Sequence, residues 1–281
     1  MGEIIDGRKI AQKIRNDLTN KIIKIKKEKN IKLGLAAIAL EKDDASGFYL
    51  ENIKNVCNEI GVDYYLYELE KNIEEEQIVN KIIELNNSKN IHGIIVQVPL
   101  PKYINEGRIA MAIALPKDVD CFNPENSGKL FRGEKCLLPC TPKGIMRLLS
   151  ESNIELLGKK VAVVGRSNIV GKPVAMLLLN KNATVTICHS KTRNLSQILS
   201  ESDIIVSAVG SPNLITGDMI KYGAIVIDAG TRVVEGVLKG DVDFGSAISK
   251  VSLITPVPGG VGAMTTTMLI ENVLEASGYY D

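Results

Sequence analysis

Lys160-Val161-Ala162-Val163-Val164 is a short apolar run that leads into Gly165-Arg166-Ser167-Asn168-Ile169-Val170-Gly171-Lys172-Pro173. A strand that feeds a glycine-rich turn and then a helix N-terminus presents backbone N–H groups and a positive dipole end to a phosphate. Pro173 suits the first helical turn, where no N–H bond is lost. The run is not the G-x-G-x-x-G fingerprint, and it fits a plain strand-to-helix connection as well as a nucleotide site. The next strand ends Cys188-His189-Ser190-Lys191-Thr192-Arg193. A site for NAD usually has Asp or Glu there, accepting from the ribose 2′-hydroxyl. Here there is no acid; Ser190 can donate to a 2′-phosphate and Arg166 can pair with it. Lys191 and Arg193 add positive potential or are solvated surface. These residues favour NADP. A second constellation is Ser46, Tyr49 and Ile53, spaced i, i+3, i+7 and therefore on one helical face.

The elements that must position these groups read as follows. Asp6 to Lys29 is a helix with Asp6 as N-cap, apolar residues at helical spacing (Ile10, Ile14, Leu18, Ile22, Ile25) and lysines near its end. Leu33–Leu40 is a buried strand, followed by a helix over Ser46–Ile60, a strand around Val62–Leu69, a helix from Ile73 to about Asn87, and a strand over 93–98. The stretch 116–142 lacks regular pattern and reads as an interdomain connection that carries function. An apolar helix from Gly144 to Leu149 opens a second alternating unit: strands over 160–165, 183–188, 203–209, 224–228 and 252–255, helices over 173–179 and 195–200, and a last helix over 265–276. Strands alternating with helices predict an α/β fold with mostly parallel sheets.

The chain has 281 residues, room for two modest domains or one large one. With 34 basic and 33 acidic residues its net charge is +1, which argues against a dedicated nucleic-acid binder. No apolar run reaches the ~18 residues of a membrane span, and no signal-peptide pattern opens the chain. Cys57, Cys121, Cys136, Cys140 and Cys188 make an odd count, read as reduced thiols in a cytoplasmic protein. With only His92 and His189 and no second cysteine pair, no metal site is expected.

The turn 165–173 closely resembles the cofactor loop of the methylenetetrahydrofolate dehydrogenase/cyclohydrolase family. Thr255-Pro256-Val257-Pro258-Gly259-Gly260-Val261-Gly262-Ala263-Met264-Thr265 is similar to its P-G-G-V-G-P-M-T pattern, Lys117-Asp118-Val119-Asp120 to its K-D-V-D, and Gln97-Val98-Pro99-Leu100-Pro101 to its Q-x-P-L-P. Phe122, Asn126, Gly128 and Leu130 fit F-x-x-x-N-x-G-x-L, and Pro139-Cys140-Thr141-Pro142-x-Gly144 fits P-C-T-P-x-G. These matches run in order over nearly the whole chain. The resemblance implies two α/β domains, 1–120 plus 265–281 for folate and catalysis and a Rossmann-like 140–258 for NADP, with a folate cleft between them and a homodimer formed through the cofactor domains. It implies that Tyr49 packs against the pterin, Gln97 orients the catalytic centre and Asp120 hydrogen-bonds the pterin ring. Pro258 and Gly262 then border the folate, and Gly165, Arg166, Ser167, Ser190 and Thr231 face NADP.

Six positions depart from the pattern. The family helix reads S-x-x-Y-x-x-x-K, and Ile53 occupies the place of the lysine, the proton-handling residue. Lys54 is five residues from Tyr49, roughly 140° around the helix. Glu41 stands for a glycine, Cys121 for a glycine, Ala263 for a proline, and Thr231-Arg232 for the end of Gly-Ile-Asn. The implied activity is NADP-dependent oxidation of methylenetetrahydrofolate to the methenyl form. Hydrolysis of methenyl to formyl is the step that Ile53 removes from expectation. The alternative is a catalytically silent paralogue that binds folate and NADP.

Overall fold

The computed structural model describes residues 2–40, 44–70 and 72–279; Glu41 and the side chain of Ser46 lie outside the described residues. The chain forms two compact units, one of residues up to Gln12 with Thr141–Thr265, the other of Lys13–Cys140 with the residues from Thr266 on. The divisions fall within α1 (Gly7–Lys29), at the start of α6 (Cys140–Glu151) and within α10 (Val261–Ala276).

The three-stranded unit holds β2 (Gly34–Leu40), α2 (Asp44–Ile60), β3 (Asp63–Leu69), α3 (Glu75–Asn87) and β4 (Gly93–Val96). Its strands lie in the order β3-β2-β4, all parallel, with Ala37 paired to Leu66 on one side and Ile95 on the other. β2 is apolar throughout because a central parallel strand is covered on both faces. Ile78, Ile82 and Leu85, at helical spacing on α3, pack with Ala36, Ile38 and Ile94 of the sheet. The expected helix start at Ile73 moves to Glu75, where a capping box between Glu74 and Gln77 sets the boundary. The stretch 116–142 is more regular than its composition suggests. It contains α5 (Pro124–Phe131), started by Asn123, whose side chain accepts from the Glu125 N–H at 2.9 Å. The short α4 (Glu106–Ala112) is capped the same way by Asn105.

The six-stranded unit holds β5 (Lys160–Val164), α7 (Gly171–Asn180), β6 (Thr184–Cys188), α8 (Leu195–Ser200), β7 (Ile204–Ser207) and β8 (Ile225–Asp228), then the hairpin β9 (Arg232–Val234) and β10 (Val237–Lys239), α9 (Phe244–Ala247) and β11 (Leu253–Ile254). The order is β1-β11-β8-β7-β5-β6, parallel throughout. β1 (Glu3–Ile4) differs from expectation. Residues 1–120 were expected in one domain, but Glu3 pairs with Leu253 and Ile4 with Ile254, so the N-terminal segment completes this sheet. Asp6 does cap α1, accepting from the Lys9 N–H at 3.0 Å. The chain goes from β5 outward to β6, then back across β5 to β7, which makes β5/β7 a topological switch point. No helix among the described residues is long and apolar enough to cross a membrane.

Candidate active site

In open parallel sheets ligands settle beyond the carboxyl ends of the strands, at the switch point. In the six-stranded unit that edge carries the loops after β5, β6, β7 and β8. Gly165 has φ +125°, and a Cβ there would run into the Ala208 carbonyl; a Cβ at Gly171 would run into the Gly165 carbonyl. Both glycines therefore let the turn close down on the loop after β7 and on the start of α7. Ser167 Oγ accepts from the Val170 and Gly171 N–H groups at 3.1 and 3.3 Å, so its hydroxyl shapes the turn. Arg166 and Ser167 are exposed on this edge. The Gly165 N–H donates to the Cys188 carbonyl at 2.9 Å, which ties the first loop to the end of β6, two residues before the exposed Ser190. His189 is a turn residue: its Nδ1 accepts from the Lys191 N–H at 3.1 Å, and its own N–H donates to Thr192 Oγ1 at 2.8 Å.

Thr231 is exposed after β8, with its carbonyl facing Gly210. Pro258 and Gly262 are exposed on either side of the Gly259-Gly260 turn. Gly259 has φ +109° and its carbonyl accepts from the Arg8 N–H at 3.2 Å. A Cβ at Gly7 would strike the Gly260 carbonyl, so this turn packs against the first residues of α1.

In the three-stranded unit, Gln97 follows β4 at the carboxyl edge; its N–H donates to the Ile38 carbonyl at 2.8 Å and its side-chain amide to the Val98 carbonyl at 3.1 Å. Asp118 bridges to Ile94 in parallel, so the 118–120 segment runs alongside β4. Asp118 is buried and accepts from the Phe122 N–H at 2.8 Å, the Asn123 N–H at 3.0 Å and Asn126 Nδ2 at 2.8 Å. It ties the turn and does not reach outward. Asp120 accepts from the Cys140 N–H at 3.1 Å. Burial pushes its carboxyl above the usual range, and the Asp118 charge adds to this against the hydrogen bonds from Cys140. Tyr49 is half-buried, with its hydroxyl held well above the ordinary phenol range by burial first and by the Asp120 charge second, which places the two side chains within electrostatic reach.

Ile53 is 0% exposed and continues the buried stripe of α2 through Leu50, Val56, Cys57 and Ile60. Lys54 leaves the helix elsewhere: its ammonium lies 3.6 Å from Glu51 with the side chain 51% exposed. Together with Gly47, Leu50, Glu51, Tyr64 and Leu66 it lines a small cavity.

Asn272 on α10 has no counterpart among the residues singled out from the sequence. It is fully buried and donates to the Val119 and Leu138 carbonyls, both at 2.7 Å, holding the segments on either side of Asp120 and Cys140. Its only sequence signal is an asparagine set among Met268, Leu269, Ile270, Val273 and Leu274. Asn272→Leu strands the part-buried Leu138 carbonyl and leaves the Val119 carbonyl only the weak Cys140 Sγ–H donor, so unfolding free energy should drop by about 1–3 kcal/mol in a denaturant titration. An unchanged midpoint would remove Asn272 from this role.

A family model described as the tetrahydrofolate dehydrogenase/cyclohydrolase catalytic domain matches residues 5–120, and its NAD(P)-binding domain partner matches residues 139–280. The chain is 50% identical over 275 residues to the bifunctional protein FolD of Clostridium novyi, covering 98% of this chain and 99% of that one. Among solved structures, the bifunctional enzyme FolD from Campylobacter jejuni superposes with a TM-score of 0.97 at 42% identity, covering 99% of each chain. The Trypanosoma brucei methylenetetrahydrofolate dehydrogenase-cyclohydrolase, complexed with NADP cofactor and inhibitor, gives 0.94 at 39% identity, covering 99% of this chain and 97% of that one.

Proposed function

The chain belongs to the tetrahydrofolate dehydrogenase/cyclohydrolase family, and we propose that it oxidises 5,10-methylenetetrahydrofolate to the methenyl form with NADP in the cytoplasm. The observations that carry this reading are the buried Asp120 within electrostatic reach of Tyr49 in one unit and, in the other, a glycine-rich turn after β5 facing the end of β6, where no acid stands. NADP supplies the hydride acceptor. The residues fit it: Gly165 and Gly171 clear the turn after β5, while Arg166 and Ser190 are exposed where a 2′-phosphate needs a cation and a donor. In this reading Gly165, Ser167 and Thr231 offer backbone and hydroxyl contacts to the same cofactor.

The substrate carbon bridges two nitrogens, whose lone pairs expel a hydride and leave an amidinium cation. No proton leaves, so the protein's task is to position. In this reading Asp120 accepts from the pterin, Tyr49 packs against it and Gln97 orients the reacting carbon. A second copy of the chain completes the assembly. The outer strand β6, with exposed Thr184, Thr186 and Ile187, supports pairing through the six-stranded unit, because an uncovered edge invites another strand. Sedimentation of a monomer at micromolar concentration would remove this point.

The test is the purified protein with methylenetetrahydrofolate and NADP, following reduced cofactor and the methenyl product separately. Asp120→Ala should lower folate affinity and turnover by about 10-fold or more while NADP binding is unchanged. Tight binding of both ligands without NADP reduction would instead support the silent paralogue, and unchanged folate kinetics in the variant would take Asp120 out of the site.

A further inference from the structure

Two carboxylates are buried together under the nucleotide edge of the six-stranded unit. Asp228, the last residue of β8, is 3% exposed, and Asp241 is 0% exposed. Asp241 Oδ2 accepts from Ser207 Oγ at 2.7 Å and the Val209 N–H at 2.8 Å, and its Oδ1 accepts from the Ser211 N–H at 2.6 Å. Asp228 Oδ1 accepts from the Gly230 N–H at 3.0 Å and the Asp241 N–H at 3.1 Å, and its Oδ2 from the Val242 N–H at 2.9 Å. The donors are backbone amides and one hydroxyl, with no lysine or arginine among them. Two like charges without a cation are costly to bury. Burial, with the Asp241 charge adding to it against the amide hydrogen bonds, lifts Asp228 to about 6. The backbone is shaped around the pair: a Cβ at Gly230 would overlap the Asp241 carboxylate, and one at Gly240 the Asp228 carboxylate.

What the pair holds is the switch point. Val209 and Ser211 belong to the loop after β7, whose Ala208 carbonyl is the surface on which Gly165 closes. Gly230 precedes Thr231, whose carbonyl faces Gly210 of that same loop. We infer that Asp241, seated by Asp228, is a positioning residue for NADP: it touches no cofactor and sets the loops after β7 and β8 at the height the dinucleotide requires. This rests on the NADP reading of that edge. An asparagine cannot replace Asp241. Its NH₂ faces the Ser211 N–H in one orientation and the Val209 N–H in the other, so either way two donors meet.

The test is Asp241→Asn, with NADP affinity measured by calorimetry and both Michaelis constants by assay. NADP affinity should weaken by about 10- to 100-fold, the loss of a charge-assisted bond plus a donor clash. The folate KM and kcat at saturating NADP should stay within about 3-fold. Gly230→Ala, which displaces the carboxylate without changing its charge, should give the same split. A lowered melting temperature with unchanged NADP affinity would show a purely structural role and overturn the inference. Weakened NADP binding in Arg166→Ala but not in Asp241→Asn overturns the brace and leaves the NADP site standing; no effect in either overturns the reading of the edge itself. Should both brace variants fail to fold, amide exchange of the unmodified protein decides. Val209, Ser211, Gly230 and Val242 should be protected before NADP is added, and exchange at open-loop rates would overturn the proposal.

Discussion

Supplied with methylenetetrahydrofolate and NADP, the protein should accumulate the methenyl product, the outcome expected of a dehydrogenase whose hydrolysis step lacks the family's lysine. Expelling a hydride needs no proton acceptor, whereas attack of water on the amidinium carbon requires protons to move. A positioned acid–base group contributes about 10²–10⁴-fold to such a step. In the family pattern that group is the lysine four residues after the tyrosine; here the position is Ile53, with no ionisable atom and wholly inside the helix–sheet core. Lys54 is no substitute, since its ammonium is held near Glu51 on an exposed flank. Methenyl hydrolysis, followed by loss of the methenyl absorbance, should therefore run at least about 10²-fold slower in the unmodified protein than in Ile53→Lys. That variant gains hydrolysis only if the longer chain carries its nitrogen out of the stripe toward Tyr49 and Asp120, since an ammonium left among Leu50, Val56 and Ile60 would be forced neutral. Lys54→Ala should change hydrolysis by less than about 2-fold, as exposed pairs contribute little. Brisk hydrolysis abolished by Lys54→Ala would sink this account; brisk hydrolysis surviving it would assign the proton to another group, Tyr49 with a water first.

Cofactor preference should be as lopsided. Arg166→Ala should weaken NADP by about 10- to 100-fold and leave NAD nearly untouched, because only the 2′-phosphate has a charge-assisted bond to lose. Adding Ser190→Asp should invert the preference, since a carboxylate at the end of β6 repels the phosphate and accepts from the ribose hydroxyl. Raising ionic strength should narrow the gap in the unmodified protein, where Arg166 is exposed and screened. Equal use of NAD and NADP at low salt by the unmodified protein would defeat the reading.

The parts legible beforehand are those with a period or a punctuation mark. The apolar runs of β2, β4, β5 and β7 and the stripe of α1 were visible because a sheet buried on both faces and a helix buried on one leave different spacings. β1 has two residues, too few to show alternation, and only the distant partner Leu253–Ile254 makes it a strand. α4 and α5 are short and polar, started by asparagine caps in stretches that otherwise read as loop. At the proposed site, the strand-turn-helix course of 160–180 was readable from composition, whereas the roles given to Tyr49 and Asp120 rest on resemblance. Asp118, Asp228, Asp241 and Asn272 were not singled out, because a buried polar residue and a surface one look alike until the amides around it are known. The glycines at 230 and 240, two residues after Asp228 and one before Asp241, were the one available hint.

The pairing of Glu3–Ile4 with Leu253–Ile254 has a consequence for synthesis. The first strand of the six-stranded unit leaves the ribosome about 250 residues before β11, the strand it pairs with, an interval of roughly 12–50 s at ordinary elongation rates. The other unit waits as long, since Leu269, Ile270 and Val273 of α10 complete its core and Asn272 ties down the turn that bears Asp120. Neither unit can complete its core before β11 and α10 have emerged. A nascent chain therefore exposes the apolar faces of both units until α10 has emerged, and synthesis stalled before that point leaves two unfinished cores.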